Sequence, residues 1–164
     1  MQPFDTPEWL EAVAENSTAD ADNPNNIFKG LTLFLTFRTE ADPKLGIEKD
    51  IYHTIHVIDG IRQPDSGFLS KEDAEKKSDF ILAASPAIWK KVIKKEAGFV
   101  SVVMKGEIEI EKGSGPEIMA LASKGPAVVD IFNKVDTEWP DEMSPQRLRE
   151  YQAKVAEFRR RLRV

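Results

Sequence analysis

Residues 79–113, DFILAASPAIWKKVIKKEAGFVSVVMKGEIEIEKG, constrain the fold more than any other part of the chain. An apolar strand, DFILAA, runs into Ser85-Pro86, a helix-capping residue followed by the residue best suited to a first helical position. At about 100° per residue, Ile88, Trp89, Val92 and Ile93 then cover an arc of roughly 140°. Lys90, Lys91, Lys94 and Lys95 fall on the other side and read as a solvated face. Gly98 is placed to end that helix. Residues 99–104, FVSVVM, are rich in β-branched side chains, which suits a strand, but a short buried helix reads the same. GEIEIE alternates cleanly, with Ile108 and Ile110 on one face, and predicts a strand with one wet side. No catalytic residue type concentrates in this stretch. It is built to surround something apolar.

The flanking elements supply a sheet and further helices. Thr6 and Pro7 start a helix whose face carries Trp9, Leu10 and Val13. Residues 16–26 are polar and turn-rich and form a loop. In LTLFLTFR, Leu31, Leu33, Leu35 and Phe37 alternate with Thr32, Phe34, Thr36 and Arg38, which predicts a strand with the first set facing the core. IYHTIHVI is a second strand ending at Asp59-Gly60, a hairpin signal, so a third starts near Ile61. KEDAEKK, residues 71–77, is a charged, solvated stretch with no further reading. Ile118, Leu121 and Ala122 mark a short helix, and Val128, Ile131, Phe132 and Val135 mark a core-facing one after Gly125-Pro126. Ser144-Pro145 opens a final helix. Its Leu148, Tyr151, Val155, Phe158 and Leu162 form a heptad seam, too short to stand as an isolated coiled coil. The expected division is a domain over 1–140 and an appended amphipathic helix over 141–164.

Composition removes several function classes. The 164 residues include no cysteine, which excludes disulfides, thiolate catalysis and cysteine-ligated metals and fits a reducing, cytoplasmic setting. A net charge of −5 argues against a nucleic-acid partner. No apolar run approaches a membrane span, and the acidic first residues do not read as a signal peptide. Asn16-Ser17-Thr18 is an incidental sequon. The lysines of 90–95 and the arginines of 159–163 leave transient contact with an anionic membrane open.

Catalytic motifs are absent: there is no GxSxG, P-loop or GxGxxG. His53 and His56 have a metal-like spacing, but on a strand an odd separation sends them to opposite faces. No metal and no cofactor are expected. His53 shares a face with Ile55 and Val57, as a satisfied core histidine or as a hydrogen-bonding group in a pocket. An enzyme using His53 with a nearby carboxylate is the third-ranked reading.

The order of elements, with the strand LTLFLTF, the Asp59-Gly60 strand end, SDFILAAS leading into a Ser-Pro helix with Trp89, and GFVSVVMKGEIEIEKG, resembles the sterol carrier protein-2 (SCP2) sterol-binding domain. Residues 105–113, KGEIEIEKG, are similar to that family's glycine-bounded GKLKIKG strand. The likeness spans about 23–135. It implies an α+β fold: a five-stranded, mostly antiparallel sheet with helices packed on one face, here with an extra C-terminal helix. It also implies that 99–104 is a short helix, and an apolar tunnel for sterol, fatty acid, acyl-CoA or another lipid. No catalytic residues carry over, so the chain is expected not to be an enzyme. The chain ends RRLRV rather than in the peroxisomal SKL tripeptide. The expected ligand contacts are Trp89, Ile93, Phe99, Val103, Met104, Met119, Ala122, Val129 and Phe132. The competing reading is a protein-interaction module, a homodimer through 144–164.

Overall fold

The computed structural model describes residues 1–17, 19 and 22–164. Thr18 of the sequon therefore lies outside the described residues. A two-residue strand β1 (Gln2–Pro3) leads into helix α1 (Pro7–Glu15), capped by Thr6 as expected. Strands β2 (Leu33–Thr39) and β3 (Ile51–Ile58) pair antiparallel from Leu33↔Val57 to Thr39↔Ile51. Asp59 and Gly60 turn the chain with φ of 51° and 80°, both positive as a two-residue hairpin requires. Gly60 is needed twice over, since a Cβ there would lie 2.8 Å from the Phe28 carbonyl oxygen. The hairpin's return strand is short, β4 (Ile61–Arg62), and is followed by β5 (Gly67–Leu69). Both pair with β3, one at each end, so they share one rank of the sheet.

Helix α2 (Lys71–Lys77) forms where only a solvated charged stretch was expected. Ser70 caps it, and one residue, Ala74, is buried. Ala74 packs with Tyr52, Ile81 and Leu69, which belong to the sheet face opposite the main core. Strand β6 (Phe80–Ala84) joins β2 in parallel, and β7 (Glu109–Lys112) closes that edge antiparallel to β6. The order is β4-β3-β2-β6-β7, with β5 beside β4. This is the expected mostly antiparallel sheet, five ranks wide, with α2 on its far face as the departure from one-sided packing.

The near face carries Leu33, Leu35 and Phe37 of β2, as the alternation predicted. Register sets Phe37 between His53 of β3 and Leu82 of β6. Over this face lie α1, α3 (Pro86–Ile93), α4 (Phe99–Met104), α5 (Gly115–Leu121) and α6 (Gly125–Asn133). Residues 99–104 are thus helical, as the resemblance implied. Gly98 does not terminate α3. Lys95 takes the left-handed position at φ 62°, and Gly98 instead precedes α4 as its N-cap. Lys90 is not a solvated lysine either. Its ammonium donates to Asp141 and Glu142 and lies 5.9 Å from the Trp139 ring centroid. Burial is the largest single influence and lowers its pKa, but the two carboxylates together outweigh it and hold the pKa above the usual lysine value.

A second, two-stranded sheet was not foreseen. Strand β8 (Thr137–Glu138) pairs parallel with β1 and anchors the start of the chain over the core. Helix α7 (Pro145–Leu162) follows. Its seam residues Tyr151, Val155 and Phe158 are buried against Ile47, Ile51 and Phe68 of the same chain. The heptad pattern is real, but its partner is intramolecular. The homodimer expected through 144–164 would need a seam that this packing already occupies. Only Leu162, 43% exposed, remains outside it.

Candidate functional site

Between the near face of the sheet and the helices lies an apolar cavity of about 100 Å³. Its floor is Leu33, Leu35, Phe37 and Leu82. Trp89, Val92 and Ile93 of α3 form one wall, and Val128, Val129 and Phe132 of α6 form the roof. Phe99 enters from α4, and Ile118 and Leu121 from α5. Phe4, Trp9 and Phe28 close the end nearest the start of the chain. Each helix contributes because its buried arc faces the sheet, and the i, i+3, i+4 spacing on α6 sets Val128, Val129 and Phe132 side by side.

Five of the nine expected contacts line this cavity: Trp89, Ile93, Phe99, Val129 and Phe132. Four do not. Helix α4 buries Val102, and two residues on, about 200° round the helix, Met104 is 78% exposed. Val103 is half-buried at the margin of the core. Met119 is 41% exposed, because its neighbour Ile118 takes the inward position. Ala122 falls in a 3₁₀ turn between α5 and α6, outside the lining. The adaptable methionines that seemed suited to a variable ligand face away from the cavity.

The lining is almost wholly carbon. Among the described residues, its polar side chains are Thr39, His53 and Lys124, beside the indole N–H groups of Trp9 and Trp89, which donate to the Thr137 hydroxyl and the Arg38 carbonyl. Lys124 Nζ donates to the Ile27 carbonyl. Thr39 and His53 meet at Asp5, a residue with no exposed surface that the sequence reading did not single out. His53 Nδ1 donates to Asp5 Oδ1 at 2.9 Å, and Thr39 Oγ1 donates to Oδ2 at 2.6 Å. Each carboxylate oxygen thus has a donor. His53 is 4% exposed and surrounded by the rings of Trp9, Phe37, Phe68 and Phe132 at centroid distances of 5.2–6.3 Å. Its other nitrogen, Nε2, is buried without a hydrogen-bond partner. His56, on the opposite face as alternation requires, pairs instead with Asp65.

The Asp5 charge is felt nearby. Tyr151, from α7, donates its hydroxyl to the Phe4 carbonyl at 2.8 Å. Burial foremost, and the Asp5 charge second, push its pKa well above the ordinary tyrosine value. Arg159 donates to the Lys49 and Asp50 carbonyls, and burial draws its pKa down while Asp5 and Asp50 oppose that. Local reading of Asp5-Thr6-Pro7 reveals the cap of α1 but not the reach of Asp5 to a strand 48 residues later.

Among the described residues, no helix is long and apolar enough to cross a membrane. No protein-family model and no curated protein sequence matches the chain. Solved structures do. A crystal structure of sterol carrier protein 2 superposes with a TM-score of 0.66 at 19% identity, covering 80% of this chain and 98% of that one. A solution structure of a conserved hypothetical protein of Thermus thermophilus, put forward as a sterol carrier protein, superposes with a TM-score of 0.65 at 18% identity, covering 84% and 93%. The chain therefore has the fold of sterol carrier protein 2.

Proposed function

We propose that this protein is a non-catalytic carrier of a lipid, bound between the sheet and helices α3–α6. The observation that carries the reading is the apolar cavity itself, set in a fold shared with sterol carrier protein 2. Fatty acid, acyl-CoA and sterol are the ligand classes that fold suggests. Trp89, Ile93, Phe99, Val129 and Phe132 are the proposed contacts, and a cytoplasmic location is the accompanying expectation.

At about 100 Å³ the cavity is smaller than the roughly 300–1,000 Å³ of sites that enclose a drug-sized ligand. Loading an acyl chain therefore requires α5 and α6 to move outward. They are the natural moving parts. The 122–124 turn and α6 both begin without a side-chain cap, and α6 rests on α3 through apolar side chains, with Asn133 donating to the Ile93 carbonyl.

The test is native mass spectrometry and organic extraction of the purified protein, followed by uptake of labelled lipid from vesicles. Bound lipid is expected, with occupancy falling to a small fraction in Val129→Trp, which fills the cavity. A protein that carries no lipid and takes none from vesicles would overturn the reading.

A further inference from the structure

The unpartnered nitrogen of His53 carries the reading one step further. A buried polar atom without a hydrogen bond is costly and uncommon, and in a native fold it asks for an explanation. The geometry around it is specific. Asp5 holds Nδ1 and so orients the ring, while Thr39 occupies the second carboxylate oxygen. The imidazole lines the cavity, and with its Nδ1 edge held by Asp5 its Nε2 edge is enclosed by the surrounding side chains, so a ligand reaches it only as the cavity widens to load. The surrounding wall is nearly all carbon, so a water at Nε2 would be short of the two to four partners that hold a buried water.

With Nδ1 carrying the proton donated to Asp5, a neutral imidazole presents an acceptor lone pair at Nε2. The complementary group is an O–H donor. An ionised carboxylate head would add a second negative charge close to Asp5 in an apolar setting, whereas a hydroxyl adds none. A catalytic role for the pair lacks parts. Among the described residues, the lining's one hydroxyl, on Thr39, is committed to Asp5, and the lining holds no serine or cysteine to act as nucleophile.

We propose that His53 is the polar anchor of the cavity, oriented by Asp5, and that the ligand is a lipid with an uncharged hydroxyl head group that donates to His53 Nε2. This rests on the lipid-carrier reading above and specifies the ligand's chemistry. Asp5 is a positioning residue, and its left-handed backbone at φ 56° is the kind of strain that persists where structure over-determines a residue.

The experiment compares 1-dodecanol, its methyl ether and dodecanoic acid, followed through the fluorescence of Trp9 and Trp89. The ether differs from the alcohol in having no O–H to donate. The alcohol is expected to bind about tenfold tighter than the ether. That ratio should fall to near one in His53→Phe and stay unchanged in His56→Phe, on the far face. The ¹⁵N resonance of His53 Nε2 should shift on adding the alcohol and not the ether, a readout that packing alone would not move. If His53→Phe does not fold, the ratio and the resonance in the native protein decide the matter. Equal binding of alcohol and ether would overturn the anchor while leaving the carrier intact. Tighter binding of the acid would overturn the hydroxyl assignment, and binding of none of the three would overturn both.

Discussion

Asp5 has a left-handed backbone, no exposed surface and two hydrogen-bond donors converging on it. An L-residue in that conformation costs roughly 1–2 kcal/mol, which its contacts must offset. Asp5→Ala would leave the His53 Nδ1–H and the Thr39 hydroxyl without their acceptor, at about 1–3 kcal/mol for each buried group. A total loss of about 2–6 kcal/mol is expected, read as a lower urea midpoint at unchanged slope. A loss under about 1 kcal/mol would mean that the two donors find other acceptors. None of this was readable from neighbouring residues. The cap at Thr6 is a local pattern, but the partner of Asp5 depends on how β1, α1 and β3 come together. Met104 failed for a related reason: in a six-residue helix, composition does not decide which of Val102, Val103 and Met104 turns inward.

At the scale of elements, periodicity was legible and partnership was not. The alternation in β2, the arc on α3 and the spacing on α6 all predicted which side chains face the core, because each follows from backbone geometry. The seam on α7 was equally legible, yet a repeat says only that something covers the helix. Here Ile47, Ile51 and Phe68 do so. The start of α7 is also tied to β8 by charge. Arg147 donates through Nε and Nη2 to the two carboxylate oxygens of Glu138 at 2.8 and 2.7 Å. These bonds hold the Glu138 carboxyl below its ordinary range, against a smaller opposing effect of burial. A lowered folded-state value means the contribution is full above the carboxyl's ordinary pKa and is lost as pH falls through the lowered one. Arg147→Met should therefore flatten the acid limb of the stability–pH profile and leave its shape near neutrality unchanged. Chemical denaturation at stepped pH measures this, and an unaltered acid limb would show that the pair adds nothing.

For the whole molecule, the proposed loading needs the sheet as the rigid partner and α5–α6 as the yielding one. Strands β2, β3 and β6 are hydrogen-bonded on both sides, whereas α5 and α6 meet the sheet only through side chains. Hydrogen exchange should be slowest in β2 and β3 and faster in α5 and α6, with lipid slowing the helices selectively. Uniform exchange across both layers, or no change on loading, would contradict a cavity that widens to admit its ligand. The fold and the position of this cavity were legible because helix arcs and strand alternation both point to one interlayer space. Its polar end was not, because it is assembled by pairing of distant segments.

That pairing has a consequence for synthesis. Strand β1 finds its partner in β8, 135 positions on in the register Gln2↔Thr137, and the Phe4 carbonyl is held by Tyr151 of α7. As the chain leaves the ribosome, the central sheet and α3–α6 can gather first. The first residues must wait for the last helix to emerge before Asp5 is locked against His53. The apolar space can thus gather before this end of it is closed, and a nascent chain halted before residue 137 would present a pocket open at the Phe4 end and without the oriented imidazole.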